Sequence, residues 1–84
     1  MILPEGIELK EIARVYPSVV IEHEGVETSV SLEWYQEKKS EVQLKGYELI
    51  FITKRGQRSG LFFPDFEEMM QALEKIFHLL KESS

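Results

Sequence analysis

The chain has 84 residues, 43% of them apolar and 30% charged, with a formal charge of −5 and no cysteine. That length supports one core and no second, so residues 1–84 are expected to form a single domain, and the lack of cysteine removes disulfides, thiolate metal sites and cysteine nucleophiles together. No apolar run approaches membrane-spanning length, and the opening Met1-Ile2-Leu3-Pro4-Glu5 lacks the basic start and long apolar stretch of a signal peptide, so a cytoplasmic protein without a membrane partner is expected.

Residues 7–16 fit two patterns. Ile7, Leu9, Ala13 and Val15 alternate with polar residues as in a strand, whereas Leu9, Ile12, Ala13 and Tyr16 fit a short helix that Pro17 would end; the strand is preferred. Val19 to His23 then leads into Glu24-Gly25, and Val26, Thr28, Val30, Leu32 and Trp34 alternate with polar partners. A two-residue turn at Glu24-Gly25 sets His23 against Val26, Ile21 against Thr28 and Val19 against Val30, which puts all six on one face. It also sets Glu22 against Glu27, a like-charge pair that asks for a Lys or Arg nearby. The polar run Gln36 to Ser40 reads as a loop.

Val42 and Leu44 begin the next strand, with Gly46 marking a bulge or kink. Tyr47 to Thr53 is apolar on both faces at its centre, as an interior strand is. Lys54 to Arg58 is a turn and Ser59 to Phe63 returns. With a loop of two or four residues, Ile50, Ile52, Leu61 and Phe63 share one face, and Leu49, Phe51 and Phe62 share the other. Asp65 to Glu82 carries Phe66, Met69, Met70, Leu73, Ile76, Phe77 and Leu80 at helical spacing, and Asp65 with Glu68 has the spacing of a capping box. The fold expected is therefore of the α+β class: an antiparallel meander of four to five strands with one long C-terminal helix packed on one face.

One helix covers one side of a sheet. If it lies over Val19, Ile21, Ile50, Ile52, Leu61 and Phe63, then Leu49, Phe51 and Phe62 are left bare, to be closed by a second copy, a partner protein or stacked bases. Charge is uneven in a way that bears on that choice. Residues 38–58 hold six basic and two acidic side chains, a balance of +4, against four basic and thirteen acidic elsewhere. Lys45, Lys54, Arg55 and Arg58 can contact phosphates while Phe51 and Phe62 stack bases. A Lys-Arg-Gly-Gln-Arg turn is also what an ordinary soluble hairpin tip looks like, and Glu22, Glu27 and Glu33 on the open side would repel phosphates. His23 and His78 form no site by spacing. No cofactor motif and no catalytic constellation is present in the sequence, so a non-catalytic protein is expected.

The run Lys54-Arg55-Gly56-Gln57-Arg58-Ser59-Gly60-Leu61-Phe62-Phe63, followed by Asp65-Phe66-Glu67-Glu68, covers about a sixth of the chain. It resembles the single-stranded nucleic-acid-binding group that includes the positive-cofactor-four coactivators, the Whirly proteins and the purine-rich-element binders. The resemblance implies four antiparallel strands and a helix, a homodimer, and single-strand binding on the sheet side, with Lys54, Arg55, Arg58, Phe51 and Phe62 in the binding roles. Two functional expectations follow. The first is a small domain that binds single-stranded nucleic acid as a homo-oligomer; the alternative is a protein-interaction module that uses the open sheet face or the helix and binds no nucleic acid.

Overall fold

A computed structural model describes residues 3–4 and 6–82. A single 3-10 turn, Leu9–Glu11, leads into strand β1, Ile12–His23. The turn is closed on itself, since the Glu8 N–H donates to Glu11 Oε1 at 3.0 Å and the Glu11 N–H to the Glu8 carbonyl at 2.9 Å. Of the two patterns at residues 7–16 the strand is the one formed, but it starts only at Ile12 and runs straight through Pro17; the helix through Ile12, Ala13 and Tyr16 is not formed, and Leu9–Glu11 make a single 3-10 turn. Proline is rare in an interior strand because it cannot donate to the ladder. Here strand β2, Val26–Val30, pairs only with Val19 to His23, so the part of β1 holding Pro17 has a neighbour on one side alone and an N–H is not needed on the other.

The β1–β2 turn has the expected register, His23 against Val26 through Val19 against Val30. Both turn residues take positive φ, Glu24 at 52° and Gly25 at 80°, the backbone that lets a two-residue loop follow the twist of its strands. β2 stops at Val30, short of the Trp34 that alternation suggested. Ser31 accepts the Trp34 N–H at 3.0 Å and so caps helix α1, Leu32–Lys38, in place of the expected loop. Trp34 is therefore on a helix and 38% exposed. Helix α1 packs against β1 and carries the chain across it to strand β3, Gln43–Thr53.

Strand β4, Arg58–Phe63, completes a four-stranded antiparallel sheet in the order β2-β1-β3-β4. The architecture is α+β, with helix α2, Phe66–Glu82, as the single long C-terminal helix. Only the two hairpins are meander-like, because the β2 to β3 link steps over β1. The Asp65 carboxylate accepts the Glu67 N–H at 3.1 Å and its carbonyl accepts the Met69 N–H at 3.1 Å, which fixes the start of α2. The kink anticipated at Gly46 is present as a register shift opposite Val20 and Ile21.

The face that α2 covers differs from the expected one. The second turn has three residues, Lys54, Arg55 and Gly56. The Gly56 N–H donates to the Thr53 carbonyl and the Thr53 N–H to the Gln57 carbonyl, both at 2.9 Å, with Gly56 at φ 88°. This is the turn-plus-left-handed-residue arrangement of three-residue hairpins. An odd loop shifts pairing by one, so Leu61 faces Leu49 and Phe63 faces Tyr47. Leu49, Phe51 and Phe63 therefore lie beneath α2 and pack with Ile12, Met69, Ala72, Leu73 and Ile76. Full burial of a side chain such as Phe51 contributes about 1.5–3 kcal/mol. With Leu49 and Phe51 enclosed, the bare apolar surface that argued for a second copy reduces largely to Phe62.

Candidate nucleic-acid interface

The side of the sheet away from α2 is defined by the ladders. Arg14 pairs with Ile52 and Ile52 with Arg58; Tyr16 pairs with Ile50 and Ile50 with Gly60; Ser18 pairs with Glu48 and Glu48 with Phe62. All of these residues point to the same side. Its middle is filled from within the chain, since Ser18, Val20 and Ile50 are buried, Ile50 to 1%.

Two glycines let neighbouring side chains lie close over the backbone on this side. A Cβ on Gly46 would fall onto the ring of Phe62, and one on Gly60 would fall onto the Glu48 carboxylate. Phe62 thus rests on bare backbone, with 57% of its surface exposed. Glu48 Oε1 accepts the Ser29 hydroxyl proton at 2.7 Å, which ties β3 to β2 across β1.

Of the sequence-derived candidates, Phe51 is removed. It is fully buried under α2, on the opposite side from Phe62, so no base can stack on it. Lys45 lies toward the first hairpin, with Nζ 3.5 Å from Glu22 Oε1, and there answers the Glu22–Glu27 pair. Lys54, Arg55, Arg58 and Phe62 remain exposed at or near the second hairpin. The turn that displays Lys54 and Arg55 is firmly held: Thr53 Oγ1 accepts the Gln57 N–H at 3.0 Å, and the Lys54 N–H donates to the Glu11 carbonyl at 2.8 Å.

Two residues join this set that sequence reasoning did not select. Arg14 is across Ile52 from Arg58, and its guanidinium stands 5.7 Å from the ring centre of Tyr16. Their i, i+2 spacing was the available signal, obscured by the double reading of residues 7–16. Among the described residues, Arg14, Lys54, Arg55 and Arg58 have no carboxylate within 4.0 Å, whereas Lys10, Lys38 and Lys45 each do. The interface thus combines unneutralised cations at one end of the sheet with Tyr16 beside Arg14, Phe62 two same-side positions along β4 from Arg58 and directly across from Glu48, and Glu22 and Glu27 at the first-hairpin end. Among the described residues no cluster of three metal-ligating side chains is present, and no helix is long and apolar enough to cross a membrane. No family model, curated protein or solved structure matches the chain.

Proposed function

We propose that this domain binds a short stretch of single-stranded nucleic acid on the side of the sheet away from α2, without catalysis. Arg14, Lys54, Arg55 and Arg58 supply the positive charge, and Phe62 and Tyr16 supply surfaces on which bases stack. The observation that carries this reading is the gathering of four cations without carboxylate partners, among the described residues, at the Arg14–Arg58 end of the sheet side that also bears Tyr16 and the largely exposed ring of Phe62. A ring more than half exposed leaves surface on which a base can stack. Single strands suit the site better than duplex, because an unpaired base presents that same kind of face. The acidic side chains at the first-hairpin end limit the strip to few nucleotides.

Fluorescence anisotropy with labelled twelve-residue thymidine and uridine oligonucleotides tests the proposal. With at most four phosphates neutralised, log affinity should fall against log salt with a slope of about −3 or shallower. The double variant Arg55→Glu, Arg58→Glu should abolish binding. Phe62→Ala should weaken it by about 1–3 kcal/mol, the contribution of one stacked base. Absence of binding at low salt would sink the proposal and leave the basic end to an acidic protein segment.

A further inference from the structure

Where β2 ends, the sheet side bearing Phe62 dips into a hollow of about 220 Å³ lined by Tyr16, Ser18, Ser29, Ser31, Ile50 and Arg58. Its origin is topological. Val30 is the last β2 residue paired with β1, and Ser31 already caps α1, so β1 has no neighbour alongside Tyr16 to Ser18 on that side. The volume is below the roughly 300 Å³ at which pockets begin to hold drug-sized ligands, and suits one planar ring system.

The hydrogen bonds already made decide what the hollow still offers. Ser18 gives its hydroxyl proton to the Glu48 carbonyl at 3.1 Å and Ser29 gives its own to Glu48 Oε1, so both retain lone pairs that accept. Ser31 Oγ takes the Trp34 N–H and keeps its proton to donate. Arg58 brings a planar fork of donors with no carboxylate partner among the described residues. Ile50 forms an apolar floor and the Tyr16 ring a wall.

Guanine carries the complementary set. Its O6 and N7 lie side by side to accept from one guanidinium, and its N1–H and N2 amino group donate on the adjoining edge. Adenine sets an amino donor beside N7, which would oppose the Arg58 fork donor to donor. Cytosine offers an acceptor pair but no ring N–H beside its amino group, and uracil has no amino group. We propose that this hollow receives one guanine base of a bound strand, with Arg58 on O6 and N7 and the Ser18 and Ser29 hydroxyls accepting from N1 and N2. This rests on the single-strand reading above and adds base selection to it.

The test is a titration of the ¹⁵N-labelled full chain with guanosine, cytidine, adenosine and uridine 5′-monophosphates, followed by amide shifts. Guanosine monophosphate should saturate shifts at Ser18, Ser29, Ser31 and Ile50 about tenfold more tightly than the other three, within the range one bidentate pair discriminates. Arg58→Lys keeps the charge and loses the fork, so the guanosine-to-cytidine affinity ratio should collapse toward one. Equal shifts from all four nucleotides, or shifts confined to Lys54 and Arg55, would overturn the proposal. In that event, retained binding of oligothymidine leaves the single-strand reading standing, whereas loss of all oligonucleotide binding removes both.

Discussion

The two hairpins differ by one loop residue, and that residue decides which side chains meet α2. At Glu24-Gly25 an even loop keeps Val19, Ile21 and His23 across from Val30, Thr28 and Val26, as alternation alone indicates. At Lys54-Arg55-Gly56 an odd loop pairs Leu61 with Leu49 and Phe63 with Tyr47, so the β4 side chains keep their expected sides while those of β3 exchange theirs, which encloses Phe51 and leaves Phe62 outside. Strand patterns state which residues share a side within one strand; only the turn states how two strands combine. The hairpins also part in charge, acidic at the first and basic at the second, so the turn that sets the register also carries the cations of the proposed site.

The largest effect expected from this contrast separates two phenylalanines eleven positions apart. Phe51→Ala should cost about 3–5 kcal/mol, because a fully buried ring leaves a cavity that β1, β3 and α2 cannot close. In a domain whose total stability is of the order of 5–15 kcal/mol, that is enough to lower the midpoint of urea unfolding severely. Phe62→Ala should change stability by less than about 1 kcal/mol, since its ring is mostly exposed, while weakening oligonucleotide binding. Equal destabilisation by the two substitutions would contradict the register of the second hairpin.

Much of the fold was legible because it depends on local chemistry. The Met69, Leu73 and Ile76 stripe of α2, its Asp65 start, the first turn and the irregularity at Gly46 follow from residues close in sequence, whereas Phe66 and Phe77, expected on that stripe, are exposed, and Ala72, not expected there, is buried. Misreadings arose where two local signals competed. Ser31 ends a strand and begins a helix, and the continuing alternation of Leu32 and Trp34 concealed its capping role. Pro17 reads as a terminator until it is known that β2 is too short to reach it. Of the candidate site, the charged residues were legible as a run, while the partnership of Arg14 and Tyr16 with Arg58 and Phe62 required knowing that β1 and β4 flank the same stretch of β3.

A smaller effect distinguishes the turns themselves. Gly56→Ala forces a Cβ into left-handed backbone and should cost about 1–2 kcal/mol. Glu24 already holds that conformation at φ 52°, ahead of a glycine. Glu24→Asn would supply the Asn-Gly pair favoured by this turn type and should stabilise by about 0.5–1 kcal/mol. Thermal unfolding midpoints of the two variants should therefore move in opposite directions; movement of both the same way would mean that the turns are not under the backbone constraint their φ angles imply.

The smallest effect concerns the acidic hairpin and links stability to the proposed ligand. Glu22 and Glu27 are directly opposite, and Lys45 is 3.5 Å from Glu22. Half-exposed charges this close to solvent interact weakly, so Glu27→Gln should stabilise by only about 0.2–1 kcal/mol, and less at high salt as the repulsion is screened. The same substitution removes a negative charge from the side of the sheet that bears Phe62. If a strand passes along that side toward β2, Glu27→Gln should tighten oligonucleotide binding at low salt more than at high salt. If the strand stays at the Arg14–Arg58 end, stability should rise while affinity stays constant, so comparing the two salt dependences locates where the ligand stops.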